Sequence, residues 1–345
     1  MSAGRSPLAD LSPASFAMVM ATGIVSIAGE LRGWHAFAWS LFWLNLALYA
    51  VLWVLTVLRA ARHAGRFRDD LADHNRSVGF FTVVAGTCIV GNQLVVIAER
   101  PEIAVGLWFF GIALWAVTNY TIFLLLTVKP EKPSLAQGIN GGWLVAVVAA
   151  QAVATLGGLL APHFHEAQEI ALFFSLVMWL GGAMLYIWIM GLIFYRYTFF
   201  PLSPSDLAPP YWINMGAMAI STLAGTVLIG NADHWSLLAE LRPFLKGLTL
   251  LFWSTATWWI PLLVLLGIWR HGVRRFPLRY DVLYWGAVFP LGMYTVCTQR
   301  LADVLEWPPL QIVPRYFIYI AVVAWALTTM GLIGRLVGRL REPVA

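Results

Sequence analysis

Ten apolar runs with no ionisable side chain in their middle constrain this chain more than any motif does. They lie near 14–29, 36–58, 79–97, 104–127, 141–160, 168–194, 211–230, 245–269, 282–299 and 315–334. Each is long enough for a helix to cross the hydrocarbon layer, once tilt and interfacial ends are counted. Membrane strands would alternate apolar and polar residues over about ten positions, and these runs are continuous. Composition agrees: 60% of the 345 residues are hydrophobic and 11% charged, against about 25% charged in a soluble domain. No soluble core absorbs that excess, so lipid is the main solvent, and soluble enzymes and nucleic-acid binders are excluded. The expected fold is an all-α integral membrane protein, a single domain over 1–345 with ten transmembrane helices. The first run carries no A-x-A-type cleavage site and is expected to be retained. Cys88 and Cys297 both fall inside apolar runs, so no disulfide framework is expected.

Loop charge orients the spans. One set of loops holds the N-terminus, 59–78, 128–140, 195–210, 270–281 and the C-terminal tail. It carries 16 of the 22 Lys and Arg residues; the other set carries 6, namely Arg32, Arg100, Arg242, Lys246, Arg300 and Arg315. The positive-inside rule therefore predicts cytoplasmic termini and a multi-pass protein of the cell (inner) membrane. The net charge of +5 reflects this bias and implies no nucleic-acid partner. Arg59 to Arg68 are expected to serve topology and lipid headgroups. All 17 carboxylates and all seven histidines also fall in loops or at span ends. Intramembrane charges mark proton relays and ion sites, and paired histidines would hold haem. Their absence from the spans argues against relay pumps and redox proteins. No metal site or cofactor is expected; His163, His165 and Glu166 read as a solvated outer loop.

A twofold-span repeat recurs five times. Phe16, Phe80, Trp143, Trp212 and Trp285 open the odd spans at separations of 64, 63, 69 and 73 residues. Small and hydroxyl residues follow, among them Ala21-Thr22-Gly23, Ala85-Gly86-Thr87, Ala149-Ala150-Gln151 and Ser221-Thr222. Even spans are bulky throughout, as in Phe42-Trp43-Leu44. A two-span unit keeps its orientation, so five parallel hairpins related by rotation about the membrane normal suggest a ring around a central pore. The alternative is a solid bundle in which small residues only mark helix contacts.

Three stretches carry a family resemblance: Ser12-Pro13-Ala14-Ser15-Phe16-Ala17-Met18-Val19-Met20-Ala21-Thr22-Gly23-Ile24, the run from Pro209-Pro210-Tyr211-Trp212-Ile213-Asn214 to Ser221, and Trp285-Gly286-Ala287-Val288-Phe289-Pro290-Leu291-Gly292-Met293-Tyr294. They resemble the first, seventh and ninth helices of the tellurite-resistance/dicarboxylate transporter family. That family includes fungal malate and sulfite transporters and the plant guard-cell slow anion channels. The resemblance implies five inner helices lining a pore, five outer ones, and a homotrimer with a pore in each subunit. It also implies that Phe289 plugs the pore.

A membrane anion channel or transporter is thus expected, not an enzyme, with a small anion and the lipid bilayer as partners. The alternative is a proton-linked carrier for a C4-dicarboxylate such as malate, or for sulfite. An arginine in a narrow pore would hold an anion too tightly for release; helix ends, hydroxyls and amides present weaker donors. The pore-lining or kink candidates are Phe16, Thr22, Gly23, Thr87, Gln151, Asn214, Ser221, Pro290, Gly292 and Thr295, with Ser26 and Asn92 as further donors. Pro290 removes one helical hydrogen bond beside Phe289. Core packing remains the competing reading for Phe289, and interhelical hydrogen bonding for Asn92 and Gln151.

Overall fold

The computed structural model describes residues 7–341. Ten long helices follow one another: α1 (Ala17–Leu31), α2 (His35–Arg62), α3 (Phe81–Val96), α4 (Pro101–Val128), α5 (Val145–Leu160), α6 (Gln168–Phe199), α7 (Ile213–Gly230), α8 (Ser236–Ile268), α9 (Trp285–Val304) and α10 (Ile312–Arg341). No strand occurs among the described residues. The protein is an all-α membrane protein: nine helical segments among the described residues are long and apolar enough to cross a bilayer. Helix α9 falls outside that nine, because Gln299, Arg300 and Asp303 lower the hydropathy of its last turns. Arg5 lies outside the described residues, as do the side chains of Arg339 and Arg341.

Odd and even helices differ in length. The odd ones have between 15 and 20 residues and the even ones between 28 and 33. Each odd helix is preceded by a 3₁₀ turn: Pro13–Phe16, Ser77–Phe80, Gly141–Leu144, Pro209–Trp212 and Val282–Tyr284. A four-residue turn rising about 2 Å per residue, added to fifteen α-helical residues at about 1.5 Å, gives about 30 Å, the thickness of the hydrocarbon layer. Short polar side chains start three of the turns. Ser12 Oγ accepts from the Ala14 N–H (3.2 Å), Asn140 Oδ1 from the Gly142 N–H (2.8 Å) and Asp281 Oδ1 from the Leu283 N–H (2.8 Å), the local bonding that makes these residues helix starters. The turns also set the register of the repeat. Counted from the residues before them (Ser12, Arg76, Asn140, Ala208, Asp281), the fourth place holds Phe16, Phe80, Leu144, Trp212 and Trp285. Trp143 is one residue early, with its Nε1–H bonded to the Gly138 carbonyl (2.8 Å).

Each odd helix packs against the even helix that follows it, and the odd helices close on one another in the order α1, α3, α5, α7, α9 and back to α1. The inner helices are enclosed. In α1, α3, α5 and α7, between 83% and 94% of the most apolar window is buried, against between 17% and 50% in the even helices. Glycines set the inner spacing. A methyl group built on Gly158 would lie 2.6 Å from Val227 Cγ1, on Gly216 2.6 Å from Pro290 Cγ, and on Gly292 2.8 Å from Ile24 Cγ2. Gly23 and Gly91 meet Ile89 and Leu156 in the same way. All five contacts between neighbouring inner helices therefore contain a glycine. Lipid offers no hydrophobic drive for helix association, so close backbone approach supplies the attraction.

One helix outruns its apolar run, and one expectation changes. Helix α8 begins at Ser236, nine residues before the apolar run, because Glu240, Arg242 and Lys246 interrupt hydropathy but not helix formation. Arg59 is not a free headgroup ligand. It is 2% exposed and binds Asp70 Oδ2 and the Ala9 carbonyl (3.2 Å); Asp70 also accepts from Arg76. This buried cluster ties the end of α2, the short helix Ala64–Leu71 and the turn before α3 together. His163, His165 and Glu166 lie exposed in the 3₁₀ turns between α5 and α6.

Candidate functional site

The five turns converge on a cavity of about 680 Å³. Its wall takes residues from every turn or its flank, including Ser12, Gly79, Asn140, Pro210 and Val282, and from the first turns of the inner helices, namely Ala17, Thr82, Val145, Ile213 and Gly286. It is a vestibule at one end of the inner ring, on the side of the more basic loops. Because the inner helices start here, their unpaired N–H groups and positive dipole ends face this end of the ring.

Charged groups border the vestibule. Arg76 donates to both oxygens of Asp70, and that bond raises its pKa above the ordinary arginine value, against the opposing effect of burial. Arg196, in the last turn of α6, is 5% exposed; its Nε donates to the Ala136 carbonyl (2.8 Å) and its Nη2 lies 3.6 Å from Asp206 Oδ2. Burial would raise the Asp206 pKa, but the Ser203 N–H and hydroxyl and the Arg196 charge bring it below the ordinary carboxylate value. Nearby, burial and the Lys129 charge lower the His74 pKa.

Helix α9 places Phe289 in relation to this cavity. Pro290 meets Gly216 of α7, and Gly292 meets Ile24 of α1, so these two residues mark the neighbours on either side. Val288 and Leu291 border a groove shared with Ala324 and Leu327 of α10 and mark the outer side. At 100° per residue, the direction left between the two neighbours belongs to Gly286, Phe289 and Met293. Gly286 borders the vestibule, and Phe289, 1% exposed, lies one turn deeper on the same face. The equivalent places in the other inner helices hold Met20, Val84, Val148 and Gly216. The next places hold Ala21, Ala85, Ala149, Ala217 and Pro290. At these two places of the repeat the sequence holds apolar residues with one aromatic ring, Phe289, and Gly216 and Pro290 meet each other at the contact of α7 with α9.

The other candidates mostly reach the outer helices. The Phe16 ring meets Tyr49 and Trp53 of α2 edge-on, with centroids 6.0 and 5.6 Å apart. Thr22 Oγ1 accepts from Trp325 Nε1 of α10 (3.1 Å), and Thr87 Oγ1 lies 2.9 Å from Tyr49 Oη. Gln151 Nε2 donates to the Trp179 carbonyl of α6 (2.9 Å), and Trp179 Nε1 donates to the Ser221 carbonyl (2.8 Å). The Asn214 carbonyl accepts from Tyr186 Oη of α6 (3.2 Å). Ser221 and Thr295 donate to the carbonyls four residues back, and Ser26 donates to the Ala38 carbonyl of α2 (2.7 Å). Asn92 Oδ1 is buried with no partner among the described residues. Gly23 and Gly292 are contact points between inner helices.

Arg196, Tyr211 and Asp70 were not singled out by the sequence reading as site residues. For Arg196 a signal existed: it continues the buried stripe Tyr186, Ile189, Met190 and Ile193 at helical spacing, which a headgroup ligand would not do.

Comparison with known proteins finds relatives along nearly the whole chain. An uncharacterized transporter of Methanocaldococcus jannaschii is 24% identical over 92% of this chain and 90% of its own length. A sulfite efflux pump of Arthroderma benhamiae is 24% identical over 93% of this chain and 89% of its own. An uncharacterized membrane protein of Mycobacterium tuberculosis is 37% identical, over 44% of this chain and 77% of its own. The profile of the SLAC1 family, described as voltage-dependent anion channel, matches residues 10–333. A match that runs from the first inner turn to the last helix carries the family with it: this chain belongs to the SLAC1 family of membrane anion-transport proteins.

Proposed function

We propose that the protein is a passive, gated channel for small anions, with its path along the axis of the inner ring. Anions enter the vestibule, where helix N-termini favour negative charge, and the apolar layer with Phe289 closes the path below. The observation that supports this reading is that Gly286 borders the vestibule and the buried Phe289 follows it one turn further along α9. A dry constriction closes a path because an anion crossing it would lose its hydration. Pro290 beside it removes the N–H that would bond the Gly286 carbonyl, which loosens the helix at the gate. The polar candidates Thr22, Thr87, Gln151 and Asn214 tie inner helices to outer ones and hold the ring in shape. By the positive-inside rule the vestibule faces the cytoplasm of a cell membrane. The family resemblance assigns three such chains to the assembly, each with its own path.

A second reading, a carrier for sulfite or a C4-dicarboxylate, is favoured by the relatives named as sulfite efflux pumps. Liposomes holding the purified protein separate the two. Under chloride, malate or sulfite gradients, a channel gives currents whose reversal potential follows the anion gradient and ignores a pH gradient. Flux that instead follows the pH gradient would replace the channel reading with the carrier.

A further inference from the structure

Two donors on the vestibule wall have no acceptor. Arg196 Nη1 and Tyr211 Oη are both buried without a hydrogen-bond partner among the described residues, and both residues border the cavity. Arg196 is 5% and Tyr211 3% exposed. Such donors are seldom left unpaired in a protein interior, where losing water without a replacement is unfavourable. The two come from different elements of the same wall. Tyr211 belongs to the turn before α7, and its ring packs on Tyr197, the residue after Arg196, with centroids 5.0 Å apart.

Several nearby protein acceptors are already engaged, while the Asn214 Oδ1 acceptor is itself buried without a partner among the described residues. Asp206 Oδ2 accepts from the Ser203 N–H at 2.9 Å and forms an ion pair with Arg196 through Nη2 at 3.6 Å, which leaves Nη1 unengaged. The Asp281 and Asn140 side chains hold their own turns. The turn before α7 opens with two prolines, Pro209 and Pro210, where the turn before α1 has one, Pro13; none of them has an N–H to offer.

We propose that Arg196 and Tyr211 form a binding site for a small oxyanion in the vestibule, occupied before the anion reaches Phe289. This rests on the transport reading above. One oxygen of a carboxylate, nitrate or sulfite accepts from Nη1 and another from the phenol O–H. A halide has one centre and fits this divided pair less well. A cavity of about 680 Å³ admits anions up to the size of a C4-dicarboxylate. Asp206 close to the guanidinium offsets part of its charge, and Arg76 is engaged by Asp70. The site therefore binds weakly enough to release, as conduction requires.

The test is ligand-induced thermal stabilisation of the purified full chain, titrated with sodium nitrate, sodium malate or sodium chloride at fixed ionic strength. Tyr211→Phe removes only an unpartnered hydroxyl, so its unfolding temperature without added anion should match the wild type. Its half-saturating nitrate and malate concentrations should rise about tenfold, the effect of losing one hydrogen bond to a charged group. Chloride should be nearly indifferent to the change. Arg196→Gln should lose oxyanion stabilisation, and Arg196→Lys should retain part of it. If Arg196→Gln does not fold, Tyr211→Phe decides alone. Wild-type nitrate and malate titrations in Tyr211→Phe would overturn the site, as would equal sensitivity to chloride. Anion efflux from liposomes of the same preparation separates the two claims. Binding that depends on Tyr211 without wild-type efflux would refute transport and leave the site standing. Efflux with unaltered binding in the variants would refute the site and leave transport standing.

Discussion

The inner and outer rings share a largely apolar composition but meet different surroundings. A residue of α4 such as Val117 is 67% exposed in the isolated chain, facing where lipid tails would lie, and any apolar side chain serves there. Residues of α5 such as Val148 are fully buried among other helices, where shape decides. The inner ring accordingly carries the glycines at its contacts and the hydroxyls that receive bonds from outer tryptophans and tyrosines, whereas the outer ring carries bulk. Hydropathy treats the two rings alike; packing separates them.

Substitutions should therefore act by ring. The largest effect is expected at the buried charge cluster. Asp70→Asn leaves Arg59, 2% exposed, without its carboxylate, and should cost about 3–5 kcal/mol, read as a lower denaturation midpoint in detergent. Gly292→Leu should follow, at about 1–3 kcal/mol or more, because Ile24 of α1 lies where the new side chain would go. Thr22→Val removes the acceptor of Trp325 and should cost about 1 kcal/mol, with anion preference unchanged. Val117→Leu on the lipid side should stay within about 0.5 kcal/mol. An outer-ring change as damaging as Gly292→Leu would break the distinction. The vestibule adds a pH term. Asp206 has a pKa below its ordinary 3.8, so its pairing contributes above that value and is lost as pH falls through the lower folded one. Unfolding midpoints between about pH 5 and pH 8 should not respond to Asp206→Asn differently at the two ends.

Legibility in the sequence followed the same division. Long uncharged runs expose the helices directly, because lipid tolerates nothing else. The repeat was visible through its aromatic residues, although Trp143 sits one place out of register, since an aromatic label does not carry the phase that a 3₁₀ turn does. What the hydroxyls bind was not visible. Thr22 and Thr87 read equally well as path donors until Trp325 and Tyr49, on outer helices, are seen to reach them. Arg196 was hidden for another reason: a charge at a helix end reads as topology, and only the buried stripe before it tells that the side chain turns inward.

Whether the inner ring encloses a path closed by Phe289 is read by pairing two alanine variants in planar bilayers. Phe16 and Phe289 are each 1% exposed and belong to inner segments, yet Phe16 packs outward on Tyr49 and Trp53 while Phe289 lies one helical turn beyond Gly286, which borders the vestibule. Phe289→Ala should raise anion current strongly with little change in preference for anions over cations. Phe16→Ala should lower stability by about 3–5 kcal/mol with no gain in current. A folded Phe289→Ala protein as closed as the wild type, or a Phe16→Ala protein that conducts as much as Phe289→Ala, would rule out Phe289 as the gate.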